Sequence, residues 1–181
     1  MTTAAQPVAR AALPLDAEAI ARIYNEGIDD RVATFETRHR TAEDIAGWFG
    51  GRYPVVVVED DGEIVGFAST STYRPRDCYD GIAEFSVYVA RSARGRKVGA
   101  MAIRALIAEA QKQGFWKLLS RVFPENGASL RLLRSVGFRE VGVYRRHGKL
   151  DGEWKDVVIV ECLIDGMPAD TQRSARSNGP V

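Results

Sequence analysis

The chain has 181 residues, 45% of them apolar and 27% charged, which is the composition of one globular domain or of one domain with a tail. Its 25 Lys and Arg nearly balance 24 Asp and Glu, leaving a formal charge of +1. A neutral surface lacks the basic field that non-specific nucleic-acid binding needs. No apolar run approaches the ~20 residues that span a bilayer, and residues 1–7 show no basic start followed by an apolar stretch. Cys78, Cys162, His39 and His147 form no cluster with metal-ligand spacing. The expectation is a cytoplasmic, reduced, metal-free protein that binds neither nucleic acid nor membrane.

Residues 8–12 read as a strand, broken by Leu13-Pro14-Leu15-Asp16, with Asp16 at a helix N-cap. Ile20, Ile23, Tyr24 and Gly27 then keep the spacing of one helix face. Residues 28–40 are polar and irregular apart from Val32 and Phe35. Thr41-Ala42-Glu43-Asp44 has the form of a capping box, ahead of a short helix carrying Ile45, Trp48 and Phe49 and ended by Gly50-Gly51. Segments 53–59 and 64–73, joined through Asp60-Asp61-Gly62, predict an antiparallel hairpin. After a polar loop, 82–89 is a further strand. Residues 98–113 predict a helix with Gly99, Ile103, Leu106, Ile107 and Ala110 on one face and Gly114 as its stop. A strand at 116–123, a short helix marked by Ser129, Leu132, Leu133 and Val136, and paired strands at 140–144 and 156–164 close the pattern. The polar segment 166–181 is expected to be a disordered tail. The order β-α-α-β-β-β-α-β-α-β-β predicts a mixed α/β domain over residues 1–165. Strand 82–89, helix 98–113 and strand 116–123 form a right-handed parallel crossover in this reading.

The loop Arg91-Ser92-Ala93-Arg94-Gly95-Arg96-Lys97-Val98-Gly99-Ala100 has two chemical readings. It is a solvated basic turn, or it is an anion cradle in which the free amides opening the helix meet a diphosphate, flanked by Arg94, Arg96 and Lys97. Cations at a helix start oppose its dipole by roughly 0.3–1 kcal/mol each, a cost that a bound anion offsets. Neither a Walker A sequence nor G-x-G-x-x-G is present.

Further on stands Phe123-Pro124-Glu125-Asn126-Gly127-Ala128-Ser129, followed by Gly137-Phe138. With the Arg94–Gly99 loop, this resembles the GCN5-related N-acetyltransferase (GNAT) superfamily. The R-x-x-x-x-G loop matches its acetyl-CoA motif, and Asn126, Ser129 and Gly137-Phe138 match its N-x-x-S…G-F element. Lys97 departs from the family loop, which has glycine there, and a positive φ at Lys97 carries a cost. The resemblance implies the GNAT fold, a mixed sheet with flanking helices in which strands 82–89 and 116–123 splay apart. A pantetheine arm would lie there against the backbone of Val87, Tyr88 and Val89. The implied cofactor contacts also include Arg94, Gly95, Arg96, Lys97, Val98, Gly99, Ala100, Asn126 and Ser129.

Residues 73–89 and Gly148-Lys149-Leu150-Asp151-Gly152-Glu153-Trp154-Lys155-Asp156 are similar to a narrower group, the phosphinothricin and arsinothricin N-acetyltransferases. Alternation on strand 82–89 turns Glu84, Ser86 and Tyr88 to one face and Phe85, Val87 and Val89 to the other. Glu84 is then a solvated surface carboxylate or a pocket group. The resemblance makes it the base that takes the acceptor's proton through a water, with amides around Tyr88 stabilising the oxyanion. Arg74 and Arg76 are solvated loop arginines or guanidinium forks for an acceptor with two anionic groups. Tyr79, Ser86, Tyr88 and Phe35 match family positions that touch substrate, and Phe35 reads equally as a buried anchor. Leu133 stands where relatives place a proton-donating Tyr or His, which leaves the general acid unassigned. The implied activity is acetylation of the α-amino group of a glutamate-analogue antimetabolite, arsinothricin ahead of phosphinothricin, by direct transfer from acetyl-CoA in a homodimer, which would confer resistance. Alternatives are a methionine sulfoximine, sulfone or other amino-acid acceptor, and a non-catalytic acyl-CoA-binding module.

Overall fold

The computed structural model describes residues 6–164, so the tail expected from residue 166 lies outside the described residues. Strands β1 (Val8–Ala11), β2 (Val55–Asp60), β3 (Glu63–Thr72), β4 (Ile82–Val89), β5 (Lys117–Val122), β6 (Arg139–Leu150) and β7 (Glu153–Leu163) form one sheet in the order β1-β2-β3-β4-β5-β7-β6. The helices are α1 (Ala17–Asp29), α2 (Ala42–Ala46), α3 (Val98–Lys112) and α4 (Gly127–Ser135). Only β4 and β5 run parallel among the paired strands, as the crossover through α3 requires. The fold is the mixed α/β sandwich of helices on a sheet that the element order implied.

The β-branched run of β2 is apolar throughout because the sheet is covered on both faces. Val56 and Val58 join Ala102, Ile103 and Leu106 of α3 in one core. Val55 and Val57 join Ile20 and Ile23 of α1, Ile45 of α2 and Phe67 in the other. A third, smaller cluster of Phe123, Leu150, Val157 and Ile159 lies beneath the β6–β7 hairpin, with Phe35 against it. Among the described residues, no helix is long and apolar enough to cross a membrane.

Local chemistry agrees with the sequence reading at one place and departs from it at two. The capping box forms: the Asp44 amide donates to Thr41 Oγ1 (3.2 Å) and the Thr41 amide to Asp44 Oδ2 (2.9 Å). Asp16 does occupy the N-cap of α1, yet its carboxylate caps nothing. It turns back to accept from Arg10 (2.7 and 3.0 Å) and from the Leu13 amide (2.8 Å). The closing strands are longer than the 140–144 and 156–164 segments. They continue through a register shift between Tyr144 and Gly148 to a tight Asp151-Gly152 turn with φ of 50° and 84°.

Candidate active site

Ladder pairing between β4 and β5 covers only Ile82–Lys117, Ala83–Leu118 and Glu84–Leu119. Beyond it β4 stays with β3 as far as Val89, while β5 stays with β7 as far as Val122, so the two strands part and leave a gap. The Gly81 carbonyl accepts from the Trp116 and Lys117 amides on the β5 side, whereas the Ala90 amide donates to Val65 of β3. A strand's backbone groups alternate sides, so those of Phe85, Val87 and Val89 face the gap. The Tyr88 amide turns to β3 instead, opposite Phe67. The amides available at the splay are therefore those of Val87 and Val89, and Tyr88 contributes its ring.

On one side the gap opens into a groove of about 350 Å³ lined by Val87, Val89, Arg94, Gly95, Lys97, Val98, Gly99 and, from α4, Ser129 and Leu132. Lys97 takes the left-handed conformation that a glycine would favour, with φ 65°, and occupies the N-cap of α3; Gly95 has φ 77°. Gly99 lets α3 approach α4, since a Cβ there would stand 2.7 Å from Leu132 Cδ1. Two of the three basic side chains already have carboxylate partners: Arg94 binds Asp30 (2.6 Å), and Arg96 binds Asp60 (2.5 Å). Arg91 also grips Asp30, at 2.7 Å. Burial pulls the Asp30 carboxyl upward, but the two guanidiniums outweigh it and hold the group below its ordinary range. The groove thus has the amides that open α3 and the β4 edge that leaves β5 after Glu84, where the Val89 carbonyl accepts from Arg94 Nε at 3.3 Å, and these amides suit a diphosphate and an extended amide-bearing arm.

On the other side lies a cavity of about 300 Å³ walled by Glu84, Ser86, Tyr88, Arg121, Tyr24, Thr34, Phe35 and Phe123. Arg121 holds both oxygens of Glu84, at 2.7 and 2.9 Å. This fork raises the Arg121 pKa against the opposing effect of burial. The Tyr24 and Tyr88 rings stand 4.8 Å apart, and burial raises both phenols, so each stays protonated at neutral pH. A smaller space of about 60 Å³, walled by Ser86 to Tyr88, Ser120, Arg121, Asn126, Ser129 and Leu133, joins groove to cavity through the strand gap.

The sequence profile described as the Acetyltransferase (GNAT) family matches residues 20–138. This chain belongs to the GNAT family of acetyltransferases. It is 32% identical over 158 residues to an L-methionine sulfoximine/L-methionine sulfone acetyltransferase of Pseudomonas aeruginosa, covering 83% of this chain and 90% of that one. It is 31% identical over 153 residues to a phosphinothricin N-acetyltransferase of Streptomyces coelicolor, covering 81% and 90%. The crystal structure of a GNAT superfamily phosphinothricin acetyltransferase from Sinorhizobium meliloti in complex with acetyl-CoA superposes with a TM-score of 0.81 at 27% identity, over 88% of this chain and 89% of that one. The chain is an N-acetyltransferase that uses acetyl-CoA, and the groove at α3 has the chemistry to hold it.

Within this GNAT domain the structure gathers Val87, Val89, Arg94, Gly95, Lys97, Val98, Gly99 and Ser129 around one groove, while Arg96 and Ala100 fall outside its lining. Asn126 walls the gap with its amide engaged, accepting from the Ser129 amide and donating to the Val32 carbonyl (both 3.1 Å). Phe35 lines the Glu84 cavity and packs edge-on against Phe123 at 4.8 Å. Arg74, Arg76 and Tyr79 are not brought to Glu84. They line a separate cavity of about 270 Å³. An intervening space of about 390 Å³ shares Tyr53 and Thr72 with that cavity and Tyr24, Ser86 and Tyr88 with the Glu84 cavity. Leu133 is 1% exposed and walls the gap without a transferable proton. Arg121 was not singled out in the sequence, and Tyr24 was read only as part of a helix face. The signal for Arg121 was a second cation, after Lys117, inside the strand Lys117–Val122, on the same sheet face as Glu84 across a parallel pair.

Proposed function

We propose that this enzyme acetylates the α-amino group of a glutamate-analogue antimetabolite, arsinothricin or phosphinothricin, and thereby confers resistance in the cytoplasm. The observation that carries the reading is the Glu84 carboxylate, set in the acceptor cavity at the point where β4 leaves β5. Bound acetyl-CoA supplies the activated acyl group. Val87 and Val89 present backbone amides to the gap, and Glu84 takes the acceptor's proton through a water, since the guanidinium fork leaves outer lone pairs on its oxygens. Among the described residues, no cysteine lines the gap, the groove or the Glu84 cavity, which supports direct transfer within a ternary complex. With Leu133 at the usual donor position, the sulfur's proton comes from solvent. Arg74 and Arg76 suit a distal phosphinate or methylarsinate. Acetylation removes the positive charge that makes such compounds resemble glutamate.

The similarity to a methionine sulfoximine and sulfone acetyltransferase favours a second reading, in which the acceptor carries no distal anion. Values of kcat/KM for arsinothricin, phosphinothricin and methionine sulfoximine, measured side by side, separate the two. Preference for either anionic acceptor supports the first reading, and a tenfold or greater preference for methionine sulfoximine, about 1.4 kcal/mol, overturns it. We also propose a homodimer: Val141, Val143, Tyr144 and Trp154 are exposed on the edge hairpin β6–β7. Light scattering that returns a monomer mass rejects that assembly.

A further inference from the structure

Arg121 walls both the strand gap and the acceptor cavity. Its two bonds to Glu84 use one N–H from each terminal nitrogen. A guanidinium has five N–H donors, so its Nε edge and outer N–H groups remain for a second anion while Glu84 is still held. The other carboxylate on that cavity wall, Glu36, is taken by Arg40 at 2.7 Å. An α-amino acid carries its ammonium and carboxylate on a single carbon. A receptor for it has to set an anion and a cation side by side, and the Glu84–Arg121 pair does so where the gap meets the cavity. A simple amine or polyamine would leave Arg121 without a ligand and bring a second cation beside it.

We propose that Arg121 receives the α-carboxylate of the acceptor, so that Glu84 and Arg121 together read the zwitterion of an α-amino acid. The assignment rests on the reading that acetylation falls on an α-amino nitrogen. It leaves the Arg74–Arg76 cavity to the far end of the acceptor's side chain, reached through the space bounded by Tyr53 and Thr72. Before an acceptor binds, the fork keeps the cation paired.

Steady-state kinetics with L-phosphinothricin, L-methionine sulfone and L-phenylalanine, each beside its α-carboxamide, test this in wild type, Arg121→Ala and Arg121→Lys, with thermal melting to establish that each variant folds. Arg121→Ala should lower kcat/KM for the acids about 10- to 100-fold more than for the carboxamides, mostly through KM, the loss on the carboxamides reporting only the weakened hold on Glu84. Arg121→Lys should restore part of the loss on the acids alone. Equal losses on acids and carboxamides would make Arg121 only a support for Glu84 and overturn the proposal, as would unchanged kinetics on the acids. If L-phosphinothricin is refused while L-phenylalanine shows the Arg121 dependence, the glutamate-analogue reading fails and the Arg121 assignment stands. Refusal of every α-amino acid overturns both.

Discussion

Gly27, in the last turn of α1, lies directly beneath the ring of Tyr88: a methyl group on its Cα would stand 2.5 Å from Cδ1. The ring is held from other sides by Phe67, stacked at 5.4 Å, and by Tyr24. Gly27→Ala gains about 1 kcal/mol of helix propensity but must push an aromatic wall of the acceptor cavity, and overpacking costs about 1–3 kcal/mol. The variant should be neutral to about 2 kcal/mol less stable, with an acceptor KM raised at least severalfold and an acetyl-CoA KM unchanged. A higher melting temperature with both KM values intact would show that the ring has room to move.

Lys97 offers a test of stored backbone strain. A non-glycine residue in the left-handed region costs roughly 1–2 kcal/mol. Lys97→Gly removes that strain together with the cation, whereas Lys97→Ala removes the cation and keeps the strain. Denaturant unfolding should place Lys97→Gly about 0.5–1 kcal/mol above Lys97→Ala, after the greater freedom of glycine in the unfolded chain is counted. Both variants should raise the acetyl-CoA KM by a similar factor, because both lose the ammonium lining the groove. Equal stabilities would mean that the positive φ relaxes at no cost in solution.

What the sequence could and could not announce follows from the range of the forces involved. Local chemistry was legible: the Thr41–Asp44 box, the turn at Asp61-Gly62, and β4 with its alternating faces all depend on neighbours a few residues away. The β6–β7 hairpin was under-read because the irregularity between Tyr144 and Gly148 interrupts the period-two pattern, although Asp151-Gly152 is a strong turn signal. Asp16 sits where an N-cap belongs, but Arg10 outcompetes the helix amides for its oxygens. The site was half legible. Glu84 and the α3 loop announce themselves by motif, whereas Arg121 becomes a site residue only when a parallel crossover lays β5 beside β4. Likewise, the carboxylate partners of Arg94 and Arg96, Asp30 and Asp60, come into view only with the fold.

Removing the carboxylate tests Glu84 with the geometry kept. Glu84→Gln retains one acceptor oxygen for Arg121, so the fold and the acetyl-CoA KM should be unaffected. Loss of proton abstraction should lower kcat about 10²–10⁴-fold near neutral pH. An acceptor that is already deprotonated needs no base, so the deficit should shrink as pH rises toward the pKa of the amine itself. A deficit constant across pH would remove Glu84 from the proton path.

Acid stability should report on Arg10 and Asp16. The Arg10 guanidinium holds the Asp16 carboxyl below its ordinary pKa of 3.8, against burial that pulls it upward and with help from the Leu13 amide. A carboxyl depressed on folding stabilises the native state fully above its ordinary pKa, and that contribution disappears as pH falls through the native value. Asp16→Asn should therefore cost about 1.5–3 kcal/mol at pH 7. In urea unfolding, the gap between variant and wild type should hold down to about pH 4 and close below it. A gap that persists unchanged well into acid would show that packing around Asp16, rather than its charge, sets the loss.

Asn126 separates a capping role from a positioning role because its amide does both jobs at once. Its oxygen accepts from the Ser129 amide at the start of α4, and its nitrogen donates to the Val32 carbonyl in the segment that carries Phe35 to the acceptor cavity. Asn126→Asp keeps the cap and adds a favourable charge at a helix start, but it has no donor for Val32. Asn126→Ala loses both bonds. Thermal unfolding should therefore leave the Asp variant near wild type and the Ala variant about 1 kcal/mol lower. Acceptor KM should rise in both, since each frees the 28–40 segment from α4. A normal acceptor KM in Asn126→Asp would mean that Phe123 packing alone holds Phe35 in place, and that the tie to Val32 is structural ornament to the site.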